Sequence, residues 1–289
     1  MSPLVRDRYP SPELTEPVLV IGLDGWVDAG SAQTIAVKAL LAAGHPTPVA
    51  TFETDMLLDY RARRPTVELD AGVPSPLEWP AVELTALSDA DGRHALLLHG
   101  AEPDYSWRGF VAEVIDIALA HDTREVVSLG AYPAAVPHTR PARLSGSSPS
   151  RRRIESLALD AGSIIVPSGL NVAVEEAAAG QGLPTMGLYA QVPHYASAMP
   201  YPAAASALLD GLERATGLVF GAPDLVTDAA AMNERLTGLL EAEPEHLHLV
   251  TRLEEAYDRM VTAAAEGIPS GEELAAELEQ FLRDRDERN

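Results

Sequence analysis

The fold is decided by the stretch VLVIGLDGWVDAGSAQTIAVKALLAAG, residues 18–44. It opens with four strand-forming residues, passes through a loop punctuated by Gly22, Gly25 and Gly30, and continues at Ser31 into an Ala/Leu-rich segment with helical spacing. A strand, a glycine loop and a helix in this order form the first half of a βαβ unit whose strand is buried on both faces. The stretch therefore predicts an open α/β sheet, and such sheets hold their ligands at the carboxyl ends of the strands.

The rest of the chain repeats this alternation. Strands are predicted at 49–52, 65–69, 81–87, 94–100, 126–132, 163–169 and 185–192, and helices at 55–64, 111–120 and 171–179. A long polar loop is predicted at 133–150, and a short helix is predicted to begin with the run 151–154. Alternating strands and helices are typical of a largely parallel sheet. The turn sequence at 89–92, Asp-Ala-Asp-Gly, predicts one hairpin, so we expect a mixed sheet with an antiparallel component.

The two ends of the chain differ in character from this core. Residues 1–17 contain four prolines and charged residues and predict an extended arm. From Pro202 onward the pattern is helical, with three helices after residue 223 that are separated by Pro244 and by Gly267 and Pro269. We therefore predict an α/β core domain with its arm at 1–222 and an acidic helical extension at 223–289. The acidity fits either a solvated helix face or a docking surface for a basic partner.

Composition excludes several classes of function. A formal charge of −22 disfavours nucleic acid and anionic membranes as partners. The absence of cysteine excludes disulfides, thiolate chemistry and thiolate zinc sites, and Lys38 is the one lysine available for Schiff-base chemistry. No apolar run is long enough for a membrane span and residues 1–14 lack a signal-peptide core, so we expect a cytoplasmic protein.

The glycine loop has the outline of a phosphate-binding P-loop without its chemistry. Ser31 stands where the P-loop lysine is required and Ala32 where its Ser or Thr is required. Asp24 and Asp28 would in addition repel a phosphate, so we do not expect triphosphate binding. Asp28 is then either a cap of the following helix or, together with Asp24, a residue that faces a ligand.

Two similar segments, Val-Pro-His at 136–138 and 192–194, each follow a predicted buried strand. The histidines would emerge at the carboxyl ends of neighbouring strands, where His138, Arg140, His194 and Tyr195 could hold an anion or perform acid–base chemistry. The alternative is turn chemistry with the imidazoles bonded to the backbone. The candidate pocket comprises Asp24, Gly25, Asp28, Gly30, Asp104, His138, Arg140, His194 and Tyr195.

A metal site and a hydrolase site are not expected. Glu102 and Asp104 follow a third strand, but the chain contains no ligand spacing of the HxxxH type. Ser168 follows a predicted strand without the GxSxG pattern of a nucleophile elbow. No cofactor is expected, a non-enzyme is favoured over an enzyme with the question left open, and catalytic residues stay unassigned.

Several motifs resemble those of the proteasome assembly chaperone 2 family, and of its actinobacterial members most closely. They are GLDGWVDAG at 22–30, EPDYSWRGF at 102–110, LGAYPAAVPHTRP at 129–141, GLPTMGLYAQVPHY at 182–195 and PAAASALL at 202–209. The likeness covers about residues 17–218 in consistent order, and the acidic helices that follow are similar to the helical extension of the bacterial members.

This resemblance implies a fold and a mode of action. The implied fold is a three-layer α/β/α sandwich similar to nucleoside phosphorylases and peptidyl hydrolases, with a tendency to form homo-oligomers. Eukaryotic and archaeal relatives assist assembly of the proteasome α-ring, commonly through a C-terminal hydrophobic–Tyr–X tail. Residues 284–289, DRDERN, differ from that tail, so we expect no docking of that type.

Three hypotheses of function follow. The leading one is a non-catalytic, chaperone-like assembly factor that acts through protein surfaces, with proteasome subunits as possible partners. The second is a small-ligand-binding protein or enzyme with a phosphorylase- or hydrolase-like pocket at the strand ends. The third is a homo-oligomer whose helices seal the subunit contacts around an unused site.

Overall fold

The computed structural model describes residues 3–10, 12–241 and 244–266. The strands are β1 Val5–Arg8, β2 Val18–Asp24, β3 Thr47–Phe52, β4 Leu69–Asp70, β5 Val73–Pro74, β6 Val82–Ser88, β7 His94–Ala101, β8 Glu125–Ala134, β9 Leu144–Ser147 and β10 Thr185–Pro193. The helices are α1 Ala32–Ala43, α2 Thr54–Leu57, α3 Trp107–Ala120, α4 Arg151–Ser156, α5 Leu170–Gly180, α6 Pro202–Thr216, α7 Pro223–Glu241 and α8 Pro244–Glu266.

Eight of the strands form one mixed sheet in the order β1-β3-β6-β7-β2-β8-β10-β9. The central strands β7, β2, β8 and β10 are parallel to their neighbours within this group. The pairings on both flanks are antiparallel. The predicted α/β fold with a mixed sheet is confirmed, and its parallel pairings are confined to the centre.

Helices cover both faces of this sheet and complete three layers. Alternate residues of β2 point to opposite faces, so that Val18 and Val20 join the core beneath α1 and α6 whereas Leu19 and Ile21 join the core beneath α3 and α5. All four side chains are almost completely buried. The prediction that this strand is buried on both faces is confirmed.

The flanking strands confirm the predicted hairpin and add an edge strand. The turn at 89–92 joins β6 to β7, and the Asp89 carboxylate accepts hydrogen bonds from the backbone N–H groups of Asp91 and Arg93. The N-terminal arm, predicted as extended, contains β1, which pairs with β3 at the edge of the sheet. The helix predicted at 55–64 is shorter and ends at Leu57.

The prediction of a strand at 163–169 is wrong. This segment forms neither strand nor helix up to Gly169, and the side chains of Ile164, Ile165 and Val166 are 79%, 101% and 59% exposed. The sheet position beside β10 is taken by β9, which lies in the stretch predicted as a polar loop. A run of β-branched residues becomes a strand only if an unpaired strand edge remains for it to pair with, and here the edge of β10 is already paired with β9.

The chain divides into two compact units, Met1–Thr237 and Gly238–Asn289. Helix α7 begins at the boundary predicted from the sequence, but its residues Leu225, Met232 and Leu236 pack in the core of the first unit. In the second unit the described helix is α8. The third helix predicted in the extension, with Leu274, Leu278 and Phe281, lies outside the described residues, as does the chain end at 284–289.

Candidate functional site

The carboxyl ends of the central parallel strands carry the predicted site residues. Asp24 ends β2, Asp104 follows β7, His138 and Arg140 follow β8, and His194 and Tyr195 follow β10. Because these strands run in the same direction, the segments leave the sheet at one edge. Within that edge the side chains form separate groups with different partners.

The first group joins Asp24 and Asp28 through Thr34 of α1. The Thr34 hydroxyl lies 2.8 Å from Asp24 Oδ1 and 2.6 Å from Asp28 Oδ2. Asp28 also accepts hydrogen bonds from the backbone N–H groups of Gln33, at 2.7 Å, and Thr34, at 3.3 Å. The carboxylate of Asp28 therefore accepts the hydrogen bonds of N–H groups at the start of α1, which is where a P-loop binds a phosphate.

Burial changes the acid–base properties of this pair. Desolvation raises the pKa of Asp28 above its usual value, and repulsion from Asp24 adds to the effect. A threonine hydroxyl has only one proton to donate, so it satisfies both carboxyl groups only if one of them is protonated. The arrangement is a capped helix start with one exposed and one half-buried carboxyl group.

Replacement of Asp28 tests its capping role. We expect Asp28→Ala to lower the free energy of unfolding by about 1–2 kcal/mol, because the first turn of α1 loses its side-chain acceptor. Asp24→Ala is the matched control: its carboxylate is exposed and is hydrogen-bonded to the Thr34 side chain and not to the backbone N–H groups of α1, so the loss is expected to be about 0.5 kcal/mol or less. Urea denaturation measures both, and equal losses would contradict the capping role.

The two glycines of the candidate pocket, Gly25 and Gly30, have structural roles. Gly25 lies so close to Glu102 that a Cβ atom would overlap the carboxylate. Gly30 has φ = +63°, and its N–H donates to the Ser197 carbonyl while its carbonyl accepts from Tyr201 N–H, each at 2.8 Å. The loop after β2 is thereby fastened to the segment after β10.

The second group is centred on His138, which is 2% exposed. Its Nδ1 lies 2.9 Å from the Tyr195 hydroxyl, and its Nε2 lies 3.0 Å from Thr237 Oγ1. Thr237 donates its own proton to the Asn233 carbonyl, so it accepts from Nε2–H. Because both ring nitrogens lie within hydrogen-bonding distance of hydroxyl groups, these contacts support the alternative in which the histidine is structural.

The other members of the predicted pocket have different surroundings. The ring of His194, an exposed residue, packs edge-on against Tyr195 with 5.3 Å between ring centroids. Asp104 forms an ion pair with Arg63 at 2.6 Å and accepts the Asp59 N–H at 2.8 Å, which fixes the loop after α2. Arg140 is half-buried next to the second group along the chain.

Glu102 connects two loops at the same sheet edge, a role that sequence reasoning missed. Its Oε1 accepts the Leu170 N–H at the start of α5, at 2.7 Å, and its Oε2 accepts the Trp26 N–H, at 3.3 Å. A shallow cleft that is partly open to solvent, with enclosed room for about one water molecule, lies here. Its lining residues are Leu23, Trp26, Val27, Gln33, Glu102 and Asn171.

A buried polar cluster, Glu175 with Ser128, Ser147 and Tyr189, lies between α5 and strands β8, β9 and β10. The Ser128 hydroxyl donates to Glu175 Oε1, and Ser147 lies 3.5 Å from Oε2. Burial raises the pKa of Glu175 to about 7 and that of Tyr189 to about 12. The sequence offered no signal for it, because serine and glutamate inside these elements are indistinguishable from surface residues.

Among residues 3–10, 12–241 and 244–266, no group of three His, Asp or Glu side chains has a geometry that could hold a metal ion. In the same part of the chain no helix is both long and apolar enough to cross a lipid bilayer.

A three-layer α/β/α fold with its loops at one end of a mixed sheet defines the class of this protein. The family model that matches is described as the PAC2 family, and the match covers residues 22–240. The chain therefore belongs to the PAC2 family. The resemblance to proteasome assembly chaperones drawn from its motifs is confirmed at the level of the family.

Solved structures agree with this assignment. A Mycobacterium tuberculosis protein of unknown function is 34% identical with a TM-score of 0.86, covering 91% of this chain and 93% of its own. A M. tuberculosis proteasome-assembly chaperone homologue is 31% identical with a TM-score of 0.74, covering 81% and 99%. The archaeal proteasome activator PbaB of Pyrococcus furiosus is 17% identical, with a TM-score of 0.62 and coverage of 82% and 99%, and shares the fold. No curated protein matches the chain significantly.

Proposed function

We propose that this protein is a non-catalytic, chaperone-like assembly factor that acts through its surfaces on protein partners, with proteasome α subunits as the partner to test first. It would work in the cytoplasm as a homo-oligomer. The observation that carries the proposal is the membership of the PAC2 family together with 31% identity to a proteasome-assembly chaperone homologue over 81% of this chain.

The state of the candidate site residues supports a role without catalysis. Both ring nitrogens of His138 are bonded to neighbouring hydroxyl groups, and Asp28 caps a helix. A general base needs a lone pair within reach of its substrate, and these side chains direct theirs toward the protein itself. The exposed aromatic side chains of Trp26 and Tyr105 lie at the same sheet edge. Tryptophan and tyrosine are among the residues that contribute most to protein interfaces.

Reconstitution of α-ring assembly tests the proposal. Purified full-length chain is mixed with proteasome α subunits of the same organism, and ring formation is followed on native gels. We expect faster appearance of complete rings and a detectable complex between the chain and the α subunits. If the chain neither changes ring formation nor binds the α subunits, the assignment to proteasome assembly is refuted.

A double variant, His138→Ala/Arg140→Ala, separates this function from a ligand-binding one. We expect it to retain about the full effect on ring assembly, because His138 is buried and Arg140 is half-buried, provided that circular dichroism shows a folded protein. Loss of assembly activity in a folded double variant would contradict a mechanism that acts through surfaces alone.

A second candidate function is favoured by the cleft beside Glu102. Its aromatic, amide and carboxylate lining is of the type that small-molecule sites combine. A thermal-shift screen with nucleotides and nucleosides tests it, with the variant Trp26→Ala alongside, which removes an exposed side chain from the lining of the cleft. A stabilisation that disappears in the variant would favour the phosphorylase- or hydrolase-like pocket, whereas no shift in either protein would count against it.

A further inference from the structure

Glu175 differs from the other buried carboxyl groups in its partners. Three such groups elsewhere in the described residues each contact at least one arginine: Asp89 with Arg93, Glu113 with Arg8, and Glu125 with Arg124 and Arg153. The polar contacts of Glu175 are with the hydroxyl groups of Ser128 and Ser147. A buried carboxylate is stabilised chiefly by a paired cation, so the surroundings of Glu175 favour the neutral acid over the ion.

The elements packed against α5 present no charge that could replace such a cation. Strands β8 and β9 present the two serines, β10 presents the phenol of Tyr189, and β2 presents apolar side chains. The buried carboxylate of α3 is already paired with an arginine of β1, and the other charged residues of α3, Arg108 and Asp116, are exposed, as is Glu176 of α5 itself. Loss of the Glu175 proton therefore places a negative charge under α5 with no cation beside it.

Glu175 lies on the face of α5 that attaches the helix to the sheet. Leu170, Val174 and Ala178 recur on this face at helical spacing and pack in the core beneath α3 and α5, and Glu175 directly follows Val174. Hydration of an ionised Glu175 requires water between this face and the sheet. The apolar contacts on either side of the carboxylate have to separate for that water to enter.

The chain that leads into α5 offers little resistance to such a separation. Residues 161–169 form neither helix nor strand, and the side chains of 161–168 are all exposed. The segment is tethered on one side by two backbone hydrogen bonds between Asp160 and β9, and on the other by the bond from Leu170 N–H to Glu102. Segments with few buried contacts open locally while the rest of a protein stays folded.

We propose that α5 is a proton-dependent clamp: with Glu175 protonated the helix stays docked on β8 and β10, and with Glu175 ionised its first two turns open away from the sheet together with residues 161–169. The open state exposes the apolar underside of α5, with Leu170 and Val174, at the edge of the sheet that carries the candidate site. The clamp responds to pH without any partner and so goes beyond the proposed function.

The pH range of the clamp follows from the two states of Glu175. Burial raises the pKa of Glu175 in the closed state to about 7, whereas in an open, hydrated state the pKa returns to its ordinary value of 4.5. Because the closed state holds the proton more tightly, it loses stability as the pH rises from about 4.5 through about 7. Between pH 6 and pH 8 the ratio of open to closed molecules is expected to rise about tenfold.

Amide hydrogen exchange of the full chain at pH 6 and pH 8, followed by mass spectrometry, tests the clamp. After correction for the intrinsic pH dependence of exchange, we expect the protection of peptides from 161–176 to fall about tenfold between the two pH values. Glu175→Gln is expected to remove this change. Glu176→Gln is the matched control, because it alters the neighbouring exposed carboxyl group, and we expect it to keep the change.

Low concentrations of urea distinguish local opening of α5 from global unfolding. A local opening exposes little surface, so the protection of 161–176 at pH 8 is expected to change little in up to about 1 M urea, whereas that of β2 falls because β2 exchanges only when the sheet unfolds. Equal protection of 161–176 at both pH values, or a loss that follows urea as that of β2 does, would overturn the proposal. Both measurements are decisive on the wild-type chain even if Glu175→Gln does not fold.

Discussion

Glu175→Gln is expected to make the protein more stable at about pH 8 and to change it little at about pH 5. Burial raises the pKa of Glu175 from its ordinary value of 4.5 to about 7. The folded state therefore retains a proton that the unfolded state releases, so stability falls as the pH rises from about 4.5 through about 7. The difference corresponds to roughly 3 kcal/mol at a pH above both values, and glutamine removes the charge that causes it.

Denaturation curves at the two pH values measure this effect. Glu176→Gln is the control, because Glu176 is the next residue of α5 and is exposed. We expect the control to show no difference between the two pH values beyond about 0.5 kcal/mol. If Glu175→Gln destabilises the protein equally at both pH values, the hydrogen bonds from Ser128 and Ser147 outweigh the desolvation of the carboxylate.

Gly30→Ala is expected to lower the free energy of unfolding by roughly 2–4 kcal/mol. The residue adopts φ = +63°, a conformation that is strained for alanine, and a Cβ atom would lie 2.8 Å from Cβ of Tyr201. Tyr201 is itself almost completely buried and cannot move aside without disturbing the core. The substitution also strains the two backbone hydrogen bonds that fasten the loop after β2 to the segment after β10.

Thermal and urea denaturation of Gly30→Ala and Gly180→Ala provide the comparison. Gly180 ends α5, and a Cβ atom there would meet no atom within 4 Å, so the control is expected to be neutral or slightly stabilised. A Gly30→Ala protein as stable as the wild type, but with a changed response to small ligands, would favour the interpretation of Gly30 as a ligand-binding residue.

The elements that local sequence predicted well are those with a single dominant signal. The buried run that became β2, the Asp-Ala-Asp-Gly turn before β7 and the helices α3 and α5 each combine apolar periodicity with a clear start or stop. Such signals depend on neighbours in the chain. The family could be predicted from short motifs for a similar reason. These motifs lie at strand ends and turns, where backbone geometry restricts the residue type.

The predictions that failed needed information from residues distant in the chain. Ile164–Val166 has the composition of a strand, yet Leu144–Ser147 pairs with β10 at that edge and leaves the apolar run exposed. The hairpin of β4 and β5 was likewise represented only by a predicted strand at 65–69, because its second strand, Val73–Pro74, lies in a stretch rich in proline. Strand pairing depends on which of all the strands in the chain are available to each other, so it cannot be predicted from a short stretch of sequence.

The amino-acid sequence alone determined the α/β class, the strand–glycine loop–helix start, the family and the exclusion of thiolate chemistry, because each depends on residue types and their local order. Tertiary structure alone decided that Asp28 and His138 have their polar atoms bonded within the protein, that Glu175 lies in a buried cluster, and that the apolar run Ile164–Val166 is exposed. The physical reason is that pKa values, hydrogen bonds and solvent exposure depend on which distant residues fold against a side chain.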